Sequence, residues 1–339
     1  MLWAVVGLIA LALIFDFLNG FHDAANAIAT VVSTRVLSPT VAVLWAASFN
    51  FAAAFGGSLK VANTMGRGVI QFELLRARGA TCVLVVIFAA LLGAIGWNLI
   101  TWWWGLPSSS SHALAGGLVG ACLPALGMKG LVLGGIVEIA AFIVISPVVG
   151  MVLGSACMVG TTWLVKKQTP ARVDRWFRRL QLLSSGIFSY SHGSNDAQKV
   201  MGIIAVVLYG TLWSHRSFHI PFWVVLLCNG AMAAGTALGG WRIVRTMGHS
   251  LTKLQPIGGF CAEMGGGVTI LAIAHLGVPV STTHTITGAI VGVGATKGTR
   301  AVRWGVAGRI VWAWIFTIPA AGAVAAVAYE IAHALIGIG

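Results

Sequence analysis

The sequence predicts an all-α polytopic membrane protein of two inverted-topology repeats, with about ten to twelve membrane segments. Three observations carry this prediction: a composition that no soluble fold accommodates, a series of apolar runs of spanning length, and an internal duplication. Of the 339 residues, 58% are hydrophobic and only 9% are charged, and the mean hydropathy is +0.92. A soluble domain carries about 25% charged residues, so the surplus of apolar side chains requires a bilayer as its solvent.

Apolar runs lie near 1–34, 40–62, 80–104, 107–127 and 130–165, and again near 181–211, 221–241, 256–276, 279–296 and 303–337. Roughly 20 helical residues cross a hydrocarbon core, so the longest runs have room for a break or a second segment. Backbone groups in lipid must be satisfied internally, which makes these segments helical. The first run has no basic n-region and is interrupted by Asp16, so it reads as a retained helix and not as a signal peptide.

The net charge of +13 does not indicate nucleic acid, because no basic face on a soluble fold accompanies it. Six basic residues crowd into one stretch, Lys166, Lys167, Arg172, Arg175, Arg178 and Arg179, and most others flank apolar runs as topology-setting charges do. Residues 166–180 thus read as a cytoplasmic linker between a first repeat, 1–165, and a second, 181–339. Segments 242–253 and 297–303 belong on the same side, which leaves Arg67, Arg76 and Arg78 facing outward against the positive-inside tendency. Arg35, Lys129 and Arg216 read as interfacial anchors. The five cysteines (Cys82, Cys122, Cys157, Cys228, Cys261) stand singly in apolar sequence, as small packing residues do.

The duplication is visible residue by residue. Gly105, Pro107, Ser109, His112, Gly116, Val119 and Gly120 recur, each 172 positions on, as Gly277, Pro279, Ser281, His284, Gly288, Val291 and Gly292. Asn19, His22, Asp23 and Asn26 correspond to His192, Asn195, Asp196 and Lys199, and residues 64–66 (Thr-Met-Gly) recur at 246–248. If each half crosses an odd number of times, the halves are inverted, and the ligand site of such folds lies at their interface.

Asn19, His22, Asp23 and Asn26 share one helical face with Thr30 and Ser33, and Ser185, Ser189, His192, Asn195, Asp196 and Lys199 form a second such stripe. A charge at mid-bilayer costs about 2.5–3.5 kcal/mol even on the lenient insertion scale, so these residues must face inward and find partners. Asp23 and Asp196 are suited to hold a cation or a transferable proton. Ser109, Ser110 and Ser111, with Ser281, Thr282 and Thr283, follow prolines that open helical runs. Hydroxyls and free N–H groups at a helix start suit a tetrahedral oxyanion. His112 and His284 are proton-carrier candidates or backbone-bonded structural residues. Glu263, among small residues, is a further site candidate, whereas Glu138 has no matching partner. The glycine run 265–267 lacks the Lys-Ser/Thr of a phosphate loop.

At residues 19–27, 191–199, 107–112 and 279–284 the chain resembles the inorganic phosphate transporter (PiT) family, prokaryotic low-affinity type. The motifs stand in family order across nearly the full chain, and the short linker is similar to that of prokaryotic members. The resemblance implies a homodimeric phosphate importer working by alternating access in the cell membrane. It also implies that the segments opening at Pro107 and Pro279 are re-entrant half-helices near mid-membrane, where hydropathy alone places them at the membrane edge. Ser109–Ser111 and Ser281–Thr283 would contact phosphate, with Asp23, Asn26, Asn195 and Asp196 at the cation sites. Two departures concern coupling: Asn50 stands where sodium-coupled relatives have glutamate, and Lys199 where they tend to have asparagine. An ammonium there could replace sodium and neutralise Asp196. Protons are therefore the expected coupling ion, with Na+ as the alternative and a divalent metal as a companion of phosphate. No permanently bound cofactor or metal is expected.

A sulfate permease of the same fold is the nearest competitor, since a hydroxyl-and-amide cradle alone does not separate two tetrahedral oxyanions. A membrane phosphatase lacks support, because neither a metal-ligand cluster nor a nucleophile–base set stands out. A channel would differ in having no counter-ion dependence.

Overall fold

The computed structural model describes residues 1–56, 58–213 and 217–336, the side chains of 249 and 250 excepted; Arg216 lies outside the described residues. The first half holds α1 (Leu2–Ser33), α2 (Pro39–Ala52), α3 (Lys60–Arg67), α4 (Phe72–Ala77), α5 (Ala80–Trp104), α6 (Ser110–Leu126) and α7 (Leu133–Val165). The second holds α8 (Pro170–Thr211), α9 (Phe222–Leu238), α10 (Trp241–Ser250), α11 (Pro256–Leu276), α12 (Thr282–Ala295) and α13 (Trp304–Ile336). Prolines open α2, α8 and α11, where a missing N–H costs nothing. Gly105 and Gly277 end α5 and α11 at φ +65° and +89°, a conformation that favours glycine, and turn the chain into α6 and α12.

By length and composition six helices can cross a membrane, or eight if the bent pairs α2/α3 and α9/α10 each count as one span. The axes of α9 and α10 differ by 72°. The polar stripe of α8 and the 14-residue length of α12 keep both outside that measure; with them the segments reach the expected range. Only residues 166–169 of the basic stretch are non-helical, since α8 begins at Pro170 and carries Arg172–Arg179 in its first turns.

The contacts repeat under exchange of the halves. α6 packs on α13 as α12 packs on α7, α1 on α9 as α8 on α2, and α10 on α1 as α3 on α8. The halves are inverted in space although their elements follow in the same order. The far end of α6, at Cys122, lies near Cys82 at the start of α5, and α5 in turn lines a groove with the beginning of α1. The far end of α12 meets Thr252, close to the start of α11, where Gly259 abuts Gln181 of α8, itself bonded to Thr34 after α1. α6 and α12 therefore leave the centre towards opposite ends. The second end also gathers Arg35, Lys166, Arg178, Lys253, Lys297, Arg300 and Arg303, the charge pattern that the positive-inside rule expects of a cytoplasmic end. Arg78 lies at the other end, near Cys82.

Glycines let the half-helices seat. Gly116 and Gly120 press on the backbone of Ile318 and Gly322 in α13, and Gly288 and Gly292 on Pro147 and Met151 in α7. Without lipid-excluding hydrophobic force, such close backbone approach is what holds membrane helices together. Gly265 approaches Gly154 in the same way, while Gly266 and Gly267 lie against Phe188 of α8, so the glycine run at 265–267 serves packing. All five cysteines are unpaired.

Because a Cβ at Gly120 or Gly288 would overlap backbone atoms of the facing helix, Gly120→Leu and Gly288→Leu should destabilise the protein by at least about 1–3 kcal/mol. The loss is read as a lower melting temperature in detergent. Gly96→Ala, where the nearest atom is 3.7 Å away on Val324, should melt like the wild type.

Candidate functional site

The two polar stripes are buried face to face. Asn19, His22, Asp23, Asn26 and Thr30 of α1 and His192, Asn195, Asp196 and Lys199 of α8 are all enclosed. Ser185 and Ser189 donate to carbonyls of their own helix, at Leu182 and Ser185, and so offer little to a ligand.

The starts of α6 and α12 meet these stripes in the middle of the molecule. The hydropathy expectation that the segments opening at Pro107 and Pro279 lie at the membrane edge is therefore overturned. The reason is the hairpin: α5 and α11 each turn at a left-handed glycine, and the segments that follow, 107–111 and 279–283, are buried. Ser109 and Ser281 cap the helices, each accepting from the N–H three residues on, His112 and His284, at 3.3 Å. Ser110, Ser111, Thr282 and Thr283 direct their hydroxyls at the stripes. Ser110 donates to Asp23 Oδ2 and Thr283 to Asp23 Oδ1, both at 3.5 Å, and Thr282 to Asp196 Oδ2 at 3.2 Å.

The halves are cross-braced at this point. Asn26 of α1 donates to Thr282 (3.3 Å) and Thr283 (2.9 Å) of α12. Its repeat partner Lys199 of α8 donates to Ser111 of α6, to Asp196, and to the Val280 carbonyl at 3.0 Å. Asn195 bridges Asp196 Oδ1 (2.7 Å) and Val280 O (2.8 Å). His22 Nδ1 lies 2.8 Å from Asp23 Oδ1, and its Nε2 lies 3.2 Å from Thr101 Oγ1, which also accepts from Ser108 at 2.8 Å. His192 sits between Asp196 (3.2 Å) and Asn50 Oδ1 (3.3 Å), with Asn50 donating to Thr236 at 2.9 Å.

Asp23, His192 and Asp196 each offer a ligand atom within 4.8 Å of the others. Sequence spacing gives no sign of this trio, since two helices of different halves supply it. Its carboxylates can hold a cation beside an anion bound by hydroxyls and by the free N–H groups of two helix starts, each worth about half a positive charge.

The remaining candidates, His112, His284 and Glu263, divide. His112 and His284 face one another at 4.7 Å between ring centroids, and His284 stacks on Trp314 at 3.9 Å. Among the described residues neither is hydrogen-bonded to a carboxylate, and His112 Nδ1 has no partner. Glu263 lies apart from the centre in a closed nest, accepting from Thr30 (2.6 Å), Gln181 (3.0 Å) and Ser184. Glu138 is exposed on α7. Sequence reasoning missed Thr101, Thr236 and Gln181 as supporting residues, and named Asn50 only for its bearing on the coupling ion. Thr101 and Thr236 lie in apolar helices without a polar stripe, whereas Gln181 stands one turn before Ser185 and continues the α8 stripe, the signal by which it could have been found. Asp16 was visible only as an interruption, although it extends the α1 stripe by one turn.

Residues 19–325 match the model of the phosphate transporter family. A probable low-affinity inorganic phosphate transporter of Rhizobium meliloti (strain 1021) is 55% identical over 96% of this chain and 95% of its own. One of the same description from Bacillus subtilis (strain 168) is 42% identical over 94% of each chain. The solved structure of a sodium-dependent phosphate transporter superposes with a TM-score of 0.86 at 26% identity, covering 97% of this chain and 98% of that one. These matches run through both stripes and both half-helix starts, and the chain belongs to the phosphate transporter family as a multi-pass protein of the cell membrane.

Proposed function

We propose that the protein imports inorganic phosphate by alternating access and that protons, not sodium, drive it. The observation that carries this reading is the Lys199 ammonium, held between Asp196, Ser111 and the Val280 carbonyl. Carboxylate, hydroxyl and carbonyl oxygens are the ligands a hard cation takes, and here a covalently attached cation has them. Asn50 supplies an amide and not a carboxylate to the neighbouring His192, which further lowers the negative charge available to a mobile cation. Phosphate would be held by Ser110, Ser111, Thr282 and Thr283 and the N–H groups at the starts of α6 and α12, with Ser109 and Ser281 as caps. Asp23, Asn26, Asn195 and Asp196 form the coupling face. The inverted halves, divided within the basic stretch 166–180, would rock about this centre.

Phosphate in place of sulfate follows from protonation. Near neutral pH phosphate keeps a hydroxyl proton that Asp23 can accept, and sulfate has none to give. Sodium coupling is the second reading, favoured by the match to a sodium-dependent transporter and by the trio Asp23, His192 and Asp196. That trio could equally receive a divalent metal travelling with phosphate.

Radiolabelled phosphate uptake into proteoliposomes, with proton and sodium gradients imposed separately, tests the assignment. Accumulation is expected with the proton gradient alone, and uptake that needs sodium would overturn it. Lys199→Asn should change the driving ion or its stoichiometry; an unchanged ion and ratio would remove Lys199 from coupling. Ser110→Ala or Thr283→Ala should raise the phosphate KM by about 10- to 100-fold, the worth of one hydrogen bond to a charged group. A wild-type KM in both variants would place phosphate elsewhere. Sulfate in excess should not compete.

A further inference from the structure

Four carboxylates are buried among the described residues, at Asp16, Asp23, Asp196 and Glu263. Three have partners: Asp23 has His22, Asp196 has Lys199 and Asn195, and Glu263 has its nest of Thr30, Gln181 and Ser184. Asp16 is fully enclosed, and neither of its oxygens accepts a hydrogen bond of normal length; the donors that approach it are the Asn19 amide and the Cys228 thiol. It precedes Asp23 by seven residues, about 10 Å of helix, on the same face of α1 and towards the extracytoplasmic end.

The groups that face Asp16 come from three helices. Asn19 lies one turn on in α1, the Cys228 thiol approaches from α9, and Asp196 and Lys199 act on it from α8. Asn19 also has an unpartnered Oδ1. Beside this spot α1 and α9 touch backbone to backbone, Gly20 against Met232 and Gly235 against Phe17, which seals the crossing. A cavity of about 370 Å³ is lined by Gln198, Met201 and Asn229, the last next in sequence to Cys228.

For Asp16, complete burial without a close hydrogen bond, together with the negative charge of Asp196, disfavours the ionised carboxylate more than the Cys228 thiol, the Asn19 amide and the more distant Lys199 charge favour it. The neutral acid avoids that penalty. We propose that Asp16 is a proton-binding station of the transport cycle, holding the co-transported proton in this enclosed conformation. The proton arrives from water on the extracytoplasmic side and forms an O–H bond on the carboxyl. That bond breaks when the proton passes on to water on the cytoplasmic side, so nothing is oxidised or reduced. Asp16 touches neither the half-helix hydroxyls nor Asp23, and its role is coupling and not phosphate binding. The inference rests on the proton-driven reading above.

Proteoliposomes carrying an internal pH dye test it with phosphate as the probe. The wild type should acidify the lumen as phosphate enters. Its failure to do so would sink the proton-driven reading, and this inference with it. With wild-type acidification established, Asp16→Asn should move at least 10-fold fewer protons per phosphate and lose the pH dependence of uptake, while phosphate still raises its melting temperature. Wild-type acidification by Asp16→Asn would overturn the role of Asp16 alone. If that variant does not fold, Asp16→Glu decides: a displaced pH midpoint of uptake supports the station, and an unmoved midpoint overturns it.

Discussion

An ammonium enclosed in a membrane bundle needs oxygen atoms around it, and Lys199 obtains them from both halves of the chain. Asp196 lies on its own helix, Ser111 at the start of α6, and the Val280 carbonyl just ahead of α12. A carbonyl is free to accept there because the helix has not yet begun. The two half-helices must therefore start in the interior, and α5 and α11 must turn back before they do. The left-handed glycines at 105 and 277, and the glycine seats of α6 and α12, follow from that one requirement.

The centre is symmetric in position and asymmetric in charge. Asn26 and Lys199 occupy equivalent places and do equivalent work, each reaching the half-helix of the opposite repeat. One carries an amide and the other a charge, so the two carboxylates they accompany are not equivalent. Asp196 has a permanent counter-ion, whereas Asp23 has a neighbouring histidine and hydroxyls. The two sides of the centre therefore share one geometry and differ in fixed charge. The flanking imidazoles differ correspondingly: His22 is tied to Thr101, and His192 to Asn50.

Membrane burial also explains which polar residues are quiet. Ser185, Ser189 and Ser191 spend their hydroxyls on carbonyls of their own helix, a bond that needs no tertiary partner. Glu263 is saturated by donors from α1 and α8 and so ties three helices together towards the basic end. Hydropathy treats such residues alike, although one group satisfies itself and the other requires a neighbour.

The sequence by itself determined that the protein lives in a bilayer, where its helices run, that its halves are duplicated, and which residues are the polar ones. These are matters of composition and period, and the cost of burying charge in lipid makes them binding. It also placed Asp23 with Asp196 and Ser109–Ser111 with Ser281–Thr283 as equivalents, because duplication preserves motif order. Only the tertiary structure decided that the half-helices begin at the centre, since hydropathy measures how apolar a segment is and not its depth. Only it separated caps from free hydroxyls at Ser109 and Ser281, and brought His192 of α8 to Asp23 of α1. Such pairings depend on how helices cross, and crossing angles are set by backbone contacts at glycines whose partners lie far away in the chain. The isolation of Asp16 is likewise invisible in sequence, because a residue lacks partners only with respect to its surroundings.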